Sequence, residues 1–177
     1  NSPYALAPIL KEKYPEISHP GKGRYTGRYS FDDEVIGLDM TIGEALLSPT
    51  RLFAPIAKAV LDECRASIHG MVHNTGGGQT KCLRVGRNIR YIKKDLPEHD
   101  QIFSLIKKES GVSWKEMYQD FNMGIGFEFI VEPRIADKVI SICEKFRIDV
   151  RKIGYCKEST DGNSLEIQSE LGTFEYR

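Results

Sequence analysis

The spacing of apolar residues predicts five helices along the chain. Between Leu52 and Cys64, apolar side chains recur every three or four positions and form one broad face, a pattern typical of an amphipathic helix. Similar spacing predicts shorter helices over Tyr4–Lys13, Asp100–Glu109 and residues 114–121, and a further helix from Ile135 to Phe146.

The helix over residues 114–121 has recognisable signals at both ends. Ser113 and Glu116 have the spacing of a capping box, in which the serine hydroxyl accepts a hydrogen bond from the backbone N–H of the glutamate. Asn122 and Gly124 follow the helix, and both residue types tolerate the left-handed conformation that often ends a helix. We therefore expect a turn at these two residues.

Short apolar runs between turn residues predict the strands. They are Ile68–His73, Asn88–Lys93, Phe127–Val131, Val150–Lys157, Leu165–Ser169 and Thr173–Tyr176. Strands and helices follow one another in mixed order, without the strict alternation of a doubly wound parallel sheet. The sequence therefore predicts an α+β fold, in which helices pack on the faces of a mixed β-sheet. Residues 16–43, rich in turn formers, predict an extended surface arm with a short strand.

The composition indicates an ordinary globular protein. The 177 residues include 25 Lys plus Arg and 25 Asp plus Glu, which excludes a strongly basic nucleic-acid-binding protein and a polyanion. This length is typical of one domain, so we expect residues 1–177 to form a single domain. No apolar run is long enough for a membrane span, and the first residues lack the pattern of a signal peptide. We therefore expect a cytoplasmic protein that binds neither nucleic acid nor membranes.

The four cysteines, Cys64, Cys82, Cys143 and Cys156, are widely separated and include no close pair. Structural zinc sites recruit their ligands in close pairs, so we expect no metal site and interpret the cysteines as small core side chains in a reducing compartment. The lysine pairs Lys93-Lys94 and Lys107-Lys108 are interpreted as solvated faces, and His19, His69 and His99 as surface or packed side chains.

The strongest candidate for chemistry is the segment His73–Gly78, where a histidine ends an apolar strand and three glycines follow. Glycine permits positive φ and close approach of a ligand, so successive N–H groups can converge on an anion such as phosphate. A histidine beside such a turn can move a proton near neutral pH. The same residues fit a tight turn with a hydrogen-bonded histidine equally well.

A second candidate is Phe121–Gly126, where glycines lie between a predicted helix and a predicted strand. It lacks the third glycine of a dinucleotide-binding fingerprint and does not follow a strand, so a structural role is favoured. Residues Gly76–Lys81 are similar to a phosphate loop but have the wrong spacing, so no self-contained ATP site is predicted. Arg51 can present its guanidinium to a phosphate or carboxylate, although a surface ion pair fits it at least as well.

Three motifs give the chain a family resemblance. Residues Gly43–Arg51 read GEALLSPTR, residues His73–Gly78 read HNTGGG, and EMY at 116–118 is followed by FNMGIG at Phe121–Gly126. In this order and at this spacing, the motifs resemble those of the C-terminal domain of aminoimidazole ribonucleotide (AIR) synthase, also called phosphoribosylformylglycinamidine cyclo-ligase. The resemblance extends from about Thr41 to the C-terminus.

The resemblance implies an activity, its cofactors and its partners. The family uses ATP and Mg²⁺ to activate the formyl amide oxygen of formylglycinamidine ribonucleotide, and an amidine nitrogen then closes the imidazole ring. ATP would be bound mainly by an N-terminal ATP-binding domain, which also supplies most of the homodimer contact, and the ribonucleotide substrate would lie in a cleft between the domains. His73 would be the catalytic group. The residues expected to bind substrate or phosphate are Asn74, Thr75, Gly76, Gly77, Gly78, Asn122, Gly124 and Arg51.

The chain departs from the family's pattern in several places. The family's N-terminal half is absent from these residues, and its SNGxSL entry to the second domain is only faintly similar to Asn1–Leu6. The stretch Gly21–Glu34 resembles an insertion. We therefore expect a folded but inactive half of an enzyme. Two alternatives stay open: a stand-alone binding or regulatory module, and another ATP-using relative of the selenophosphate synthetase or thiamine-monophosphate kinase type.

Overall fold

A computed structural model describes residues 28–177 of the chain. The described residues divide into two compact units, one made of residues 28–49 and 99–117 and the other of residues 50–98 and 118–177. The predicted helix over Tyr4–Lys13, the segment Asn1–Leu6 and most of the stretch Gly21–Glu34 lie outside the described residues.

The first unit is built mainly from short helices. Helix α1, Ile42–Leu47, begins with a capping box: the Glu44 N–H donates to Thr41 Oγ1 at 3.2 Å, and Glu44 Oε2 accepts from the Thr41 N–H at 2.9 Å. Because this helix begins at Ile42, the predicted surface arm ends before Gly43. Residues 16–27 of the arm lie outside the described residues, and its described part contains a single β-bridge, between Glu34 and Thr41.

Two further helices contribute to the first unit. Helix α3, Gln101–Ser110, ends at Gly111, whose φ of 72° closes the last turn. Helix α4, Trp114–Asp120, follows it, and its residues 118–120 belong to the second unit. At the start of α4, the Glu116 N–H donates to Ser113 Oγ at 3.2 Å, which confirms the predicted N-terminal cap.

The second unit contains a two-stranded sheet covered by two helices. Strands β1, Ile68–His73, and β3, Phe127–Val131, pair antiparallel. Helices α2, Ala54–Cys64, and α5, Ala136–Glu144, pack together through apolar faces. Their buried cluster consists of Ile56, Val60, Cys64, Val139, Ile142 and Cys143. The predicted bounds of β1 and β3 are confirmed, and Pro55 lies in the first turn of α2.

A four-stranded sheet completes the second unit. Strand β2, Ile89–Lys93, pairs antiparallel with β4, Gly154–Glu158, and parallel with β5, Ser164–Ser169. Strand β6, Gly172–Tyr176, pairs antiparallel with β5. The mixed sheet and α+β fold are therefore confirmed, with the strands divided between two sheets. The segment 150–153, predicted to begin β4, precedes that strand instead.

The structure corrects two predictions about individual side chains. Cys64, Cys82 and Cys143 are buried as expected, but Cys156 is exposed because the whole of edge strand β4 is exposed. Lys93, interpreted from the sequence as part of a solvated face, is only 3% exposed. None of the helices in residues 28–177 combines the length and apolar character that crossing a membrane requires.

Candidate functional site

The two glycine-containing motifs lie against each other in the second unit. We call residues 73–78 the His73 loop and residues 121–126 the Asn122 loop. The Asn74 N–H donates to the Gly126 carbonyl at 2.9 Å, which joins the start of one loop to the end of the other. A Cβ atom on Gly78 would lie 2.4 Å from the Phe121 carbonyl oxygen. Only glycine therefore fits at this crossing.

The His73 loop is a tight turn that follows β1. The Thr75 N–H donates to the His73 carbonyl at 2.9 Å, and the Gly78 N–H donates to the Thr75 carbonyl at 3.0 Å. Gly77 has a φ of 97° and Gly78 a φ of 47°, conformations that favour glycine. The loop then continues into a 3-10 helix over Gly78–Arg84.

The His73 side chain is exposed at the end of β1 and contacts aromatic rings. Its ring centroid lies 5.5 Å from that of Phe53 in an edge-to-face arrangement, and 6.0 Å from that of Phe127. A Cβ atom on Gly126 would lie 2.6 Å from the Phe53 ring, so this glycine makes room for the aromatic contact. No group within residues 28–177 hydrogen-bonds the His73 ring, which leaves the imidazole open to a ligand.

The Asn122 loop turns the chain from α4 into β3. The Gly124 N–H donates to Asn122 Oδ1 at 3.0 Å, and the Ile125 N–H donates to the Asn122 carbonyl at 3.0 Å. The left-handed residues are Met123, with a φ of 51°, and Gly124, with a φ of 90°. The sequence placed this conformation at Asn122 and Gly124. Asn122 instead caps the turn with its side chain, and the buried Met123 adopts the strained conformation.

A buried polar network fastens the two loops together. Lys93 Nζ donates to the carbonyl and the Oε1 of Gln79, both at 2.9 Å, and to Glu128 Oε1 at 2.6 Å. Those three acceptors use all three ammonium hydrogens. Gln79 Nε2 donates to the Asn122 carbonyl at 2.6 Å, so the network extends from β2 to the Asn122 loop.

Asn74 belongs to the same network. Its Nδ2 donates to the Ile125 carbonyl at 3.0 Å and to Glu128 Oε1 at 2.5 Å, which fixes the orientation of the amide. Asn74 Oδ1 is the one buried side-chain acceptor without a hydrogen bond among the described residues. Buried polar groups are normally paired, so this oxygen is an exception among the described residues.

Sequence reasoning found the two loops but missed the residues that connect them. Glu128 alternates with apolar residues in β3, and Lys93 ends an apolar strand and is followed by a second lysine; neither pattern distinguishes these two residues from exposed charges. The pairing could not be predicted because the two residues are 35 positions apart in the chain. Arg51, the remaining predicted site residue, is exposed and forms no hydrogen bond or ion pair within residues 28–177.

Burial raises the pKa of one thiol close to this network. Cys82, which is 0% exposed in the 3-10 helix, has a pKa raised to about 11 by loss of solvation, and nearby Lys93 opposes this shift only in part. The thiol is therefore protonated at neutral pH and is a poor nucleophile. Within residues 28–177, no three His, Cys, Asp or Glu side chains come together as a metal site would require.

These features define an α+β domain in which a buried ion pair holds two glycine-containing loops side by side. Residues 26–165 match the family described as AIR synthase related protein, C-terminal domain. The chain belongs to that family, and the resemblance seen in its three motifs is confirmed.

Several curated proteins are similar to the chain, and each is named phosphoribosylformylglycinamidine cyclo-ligase. The protein from Methanobrevibacter smithii is 40% identical over 118 residues, which cover 67% of this chain and 34% of the relative. The protein from Methanocaldococcus jannaschii is 37% identical over 128 residues, which cover 72% of this chain and 36% of the relative. The protein from Methanococcus vannielii is 36% identical over 137 residues, which cover 77% of this chain and 38% of the relative. The matched part therefore spans only about a third of each relative.

Proposed function

We propose that this chain is the C-terminal part of an ATP-dependent cyclo-ligase of purine biosynthesis, which converts formylglycinamidine ribonucleotide to aminoimidazole ribonucleotide in the cytoplasm. The names of the relatives support the reaction class. The observation that carries the proposal is the packing of the His73 loop against the Asn122 loop, which places an open imidazole and glycine N–H groups in one region.

The proposed reaction transfers the γ-phosphoryl group of ATP to the formyl amide oxygen. The amidine nitrogen attacks the formyl carbon that carries this oxygen, and the carbon–oxygen bond breaks as phosphate leaves. The products are ADP, phosphate, the closed ring and one proton. In this scheme the His73 imidazole accepts the proton that the attacking nitrogen loses, because its ring is exposed and free of protein hydrogen bonds within residues 28–177.

The two loops supply the polar surroundings of this step. N–H groups of Gly76 and Gly77 donate to phosphate oxygens, where fixed donors stabilise charge without reorganisation. Gly78 and Asn74 hold the His73 loop in place, Thr75 contributes its hydroxyl, and the Asn122 loop shapes the opposite wall of the site. Arg51 adds a guanidinium to the phosphate when substrate is bound.

The complete protein contains more than this chain in our proposal. ATP and Mg²⁺ are bound mainly by an N-terminal domain of the same protein, and the complete enzyme is a homodimer. This assignment is supported by the length of the relatives, of which the chain matches about a third. The chain alone is therefore expected to fold without catalysing ring closure.

Comparing the intact gene product, the 177-residue chain and a His73→Ala variant of the intact protein tests the proposal. Product formation and ADP release are measured together. We expect ring closure from the intact protein, none from the chain, and a kcat lowered by about 100-fold or more in His73→Ala. His69→Ala is the matched control, because His69 is an exposed histidine on the same strand. Full turnover by His73→Ala rejects the catalytic assignment, and ATP-independent binding without turnover by the intact protein favours a regulatory module.

A further inference from the structure

Two basic side chains, Lys81 and Arg84, lie on the 3-10 helix that follows the His73 loop. Lys81 Nζ donates to Thr75 Oγ1. Arg84 Nη2 lies 4.0 Å from the position that a Cβ atom on Gly77 would occupy. Because a 3-10 helix has three residues per turn, Lys81 and Arg84 project from the same side of it. Two cations therefore lie at the glycine turn.

The local charge of this segment contrasts with the neutral chain. Between His73 and Lys94 the sequence has six Lys or Arg residues and no Asp or Glu. Lys93 is neutralised by Glu128, and Arg90 by Glu166 and Glu175. In the part of the chain that the structure describes, neither Lys81 nor Arg84 has a carboxylate partner. Their positive charge is available to an anion.

The glycine turn adds backbone donors to these cations. Neither the Gly76 N–H nor the Gly77 N–H donates to an acceptor within residues 28–177. A Cβ atom on Gly76 would meet nothing within 4 Å, so the space beside the turn is open. Successive N–H groups around a left-handed glycine form an anion-binding concavity.

We propose that Lys81 and Arg84 join the N–H groups of Gly76 and Gly77, which the proposed function already directs to phosphate oxygens, in a binding site for the dianion of a phosphate monoester. A phosphate carries about two negative charges at neutral pH and offers three acceptor oxygens, which matches two cations and two N–H donors. A carboxylate has half that charge. The proposal rests on the proposed function only for the biological ligand, since a ribonucleotide substrate and ATP both carry phosphate.

The consequence is that this chain holds phosphate with its own charges. The glycine N–H groups supply direction, and the guanidinium and ammonium supply most of the electrostatic attraction. Lys81 has a second role, because its hydrogen bond to Thr75 fastens the basic side chain to the loop. Removing either cation weakens phosphate binding without touching His73.

Titration of the 177-residue chain and of the intact gene product with inorganic phosphate tests the site. The readouts are the dissociation constant and the backbone amide chemical shifts of Gly76 and Gly77. We expect Lys81→Met and Arg84→Gln each to weaken phosphate binding by about tenfold. Arg87→Gln is the matched control, because it removes an exposed arginine of the same segment, and it is expected to change binding less than twofold. Acetate at equal ionic strength is expected to leave the two glycine amides unshifted.

Charge-conserving variants guard against misfolding. Lys81→Arg and Arg84→Lys are expected to retain binding within about threefold. Each variant keeps the positive charge that attracts phosphate, and the small loss reflects the changed hydrogen-bond geometry. If Arg87→Gln weakens binding as much as Arg84→Gln, or if the shifted amides lie elsewhere, attraction is non-specific and the proposal is overturned. Loss of binding in every variant, including the charge-conserving pair, also overturns it.

Two further ligands distinguish the source of the phosphate. Ribose 5-phosphate and ATP are titrated separately into both proteins, and the tighter ligand identifies which one the site serves. Phosphate binding that depends on Lys81 and Arg84 in an intact protein without ring closure supports this site while rejecting the proposed function. If the intact protein closes the ring but its phosphate binding does not change when Lys81 or Arg84 is replaced, this site is rejected and the proposed function is retained.

Discussion

The ammonium nitrogen of Lys93 lies 2.6 Å from Oε1 of Glu128, and both side chains are more than nine-tenths buried. The two residues belong to different sheets, β2 of the four-stranded sheet and β3 of the two-stranded one. Burying two charges costs on the order of several kcal/mol per ion, which close pairing and further hydrogen bonds must offset. The pair therefore fixes how the two sheets meet.

Replacing Lys93 with methionine is expected to lower the free energy of unfolding by about 3–5 kcal/mol. The substitution leaves Glu128 as an uncompensated buried charge and removes the hydrogen bonds to Gln79. Urea unfolding monitored by circular dichroism measures the change. Lys94→Met is the control, because Lys94 is the exposed neighbour, and its effect is expected to stay within about 0.5 kcal/mol. Equal effects of the two substitutions would show that the buried pair does not stabilise the fold.

Gly78→Ala is expected to destabilise the second unit by about 2–4 kcal/mol. The new Cβ atom would lie 2.4 Å from a backbone carbonyl oxygen, and φ at this position is 47°, so both crowding and backbone strain oppose the substitution. Thermal unfolding of the chain measures the loss. Gly76→Ala tests the contrast, since a Cβ atom there meets nothing within 4 Å, and we expect its melting temperature to stay close to that of the parent. A stable Gly78→Ala variant would contradict the close packing of the two loops.

Asn74 and Thr75 are neighbours in one motif, yet their replacement is expected to have different effects. Asn74→Ala removes the donor to Ile125 and Glu128 and should cost about 1–3 kcal/mol, because it leaves buried acceptors short of a partner. Thr75 is exposed, so Thr75→Ala should change stability by less than about 1 kcal/mol. Chemical denaturation of both variants checks the difference. A larger loss in Thr75→Ala would mean that the hydroxyl, not the amide, holds the loop.

The buried Cys82 thiol predicts a decline in stability at alkaline pH. Its pKa is raised from 9.0 to about 11 in the folded state, so the folded protein keeps a proton that the unfolded chain loses between these values. A raised pKa stabilises the fold below the unfolded pKa, and the contribution is lost as pH rises. Between pH 8 and pH 10 the expected loss is about 1 kcal/mol. Cys82→Ala should flatten this part of the pH profile in urea unfolding. An unchanged profile in the variant would assign the decline to other groups.

Local patterns predicted the elements of the fold well. Short apolar runs between turn residues predicted the bounds of β1 and β3, and the spacing of Ser113 and Glu116 predicted the start of α4. These features depend on neighbouring residues, which the sequence displays directly. The division into two sheets could not be predicted, because strand pairing depends on contacts between residues far apart in the chain.

The site was predicted only in part, for the same physical reason. The glycines and His73 were found because three consecutive glycines shortly after a histidine form a distinctive run in the sequence. Lys93 and Glu128 are 35 residues apart, and a lysine followed by a second lysine is typical of a solvated surface. Only the tertiary structure shows that one of the two is buried. Lys81 and Arg84 were missed because their relation to the turn depends on the pitch of the following 3-10 helix.

The contact between Gly78 and the Phe121 carbonyl makes the two motifs one unit for protein engineering. Inserting or deleting a residue in the Asn122 loop would move that carbonyl relative to the glycine, so the length of one loop limits the length of the other. A graft that carries only one motif to another scaffold would separate the two contacting backbones. Transfer of this site therefore requires both loops together with the lysine and glutamate that fasten them.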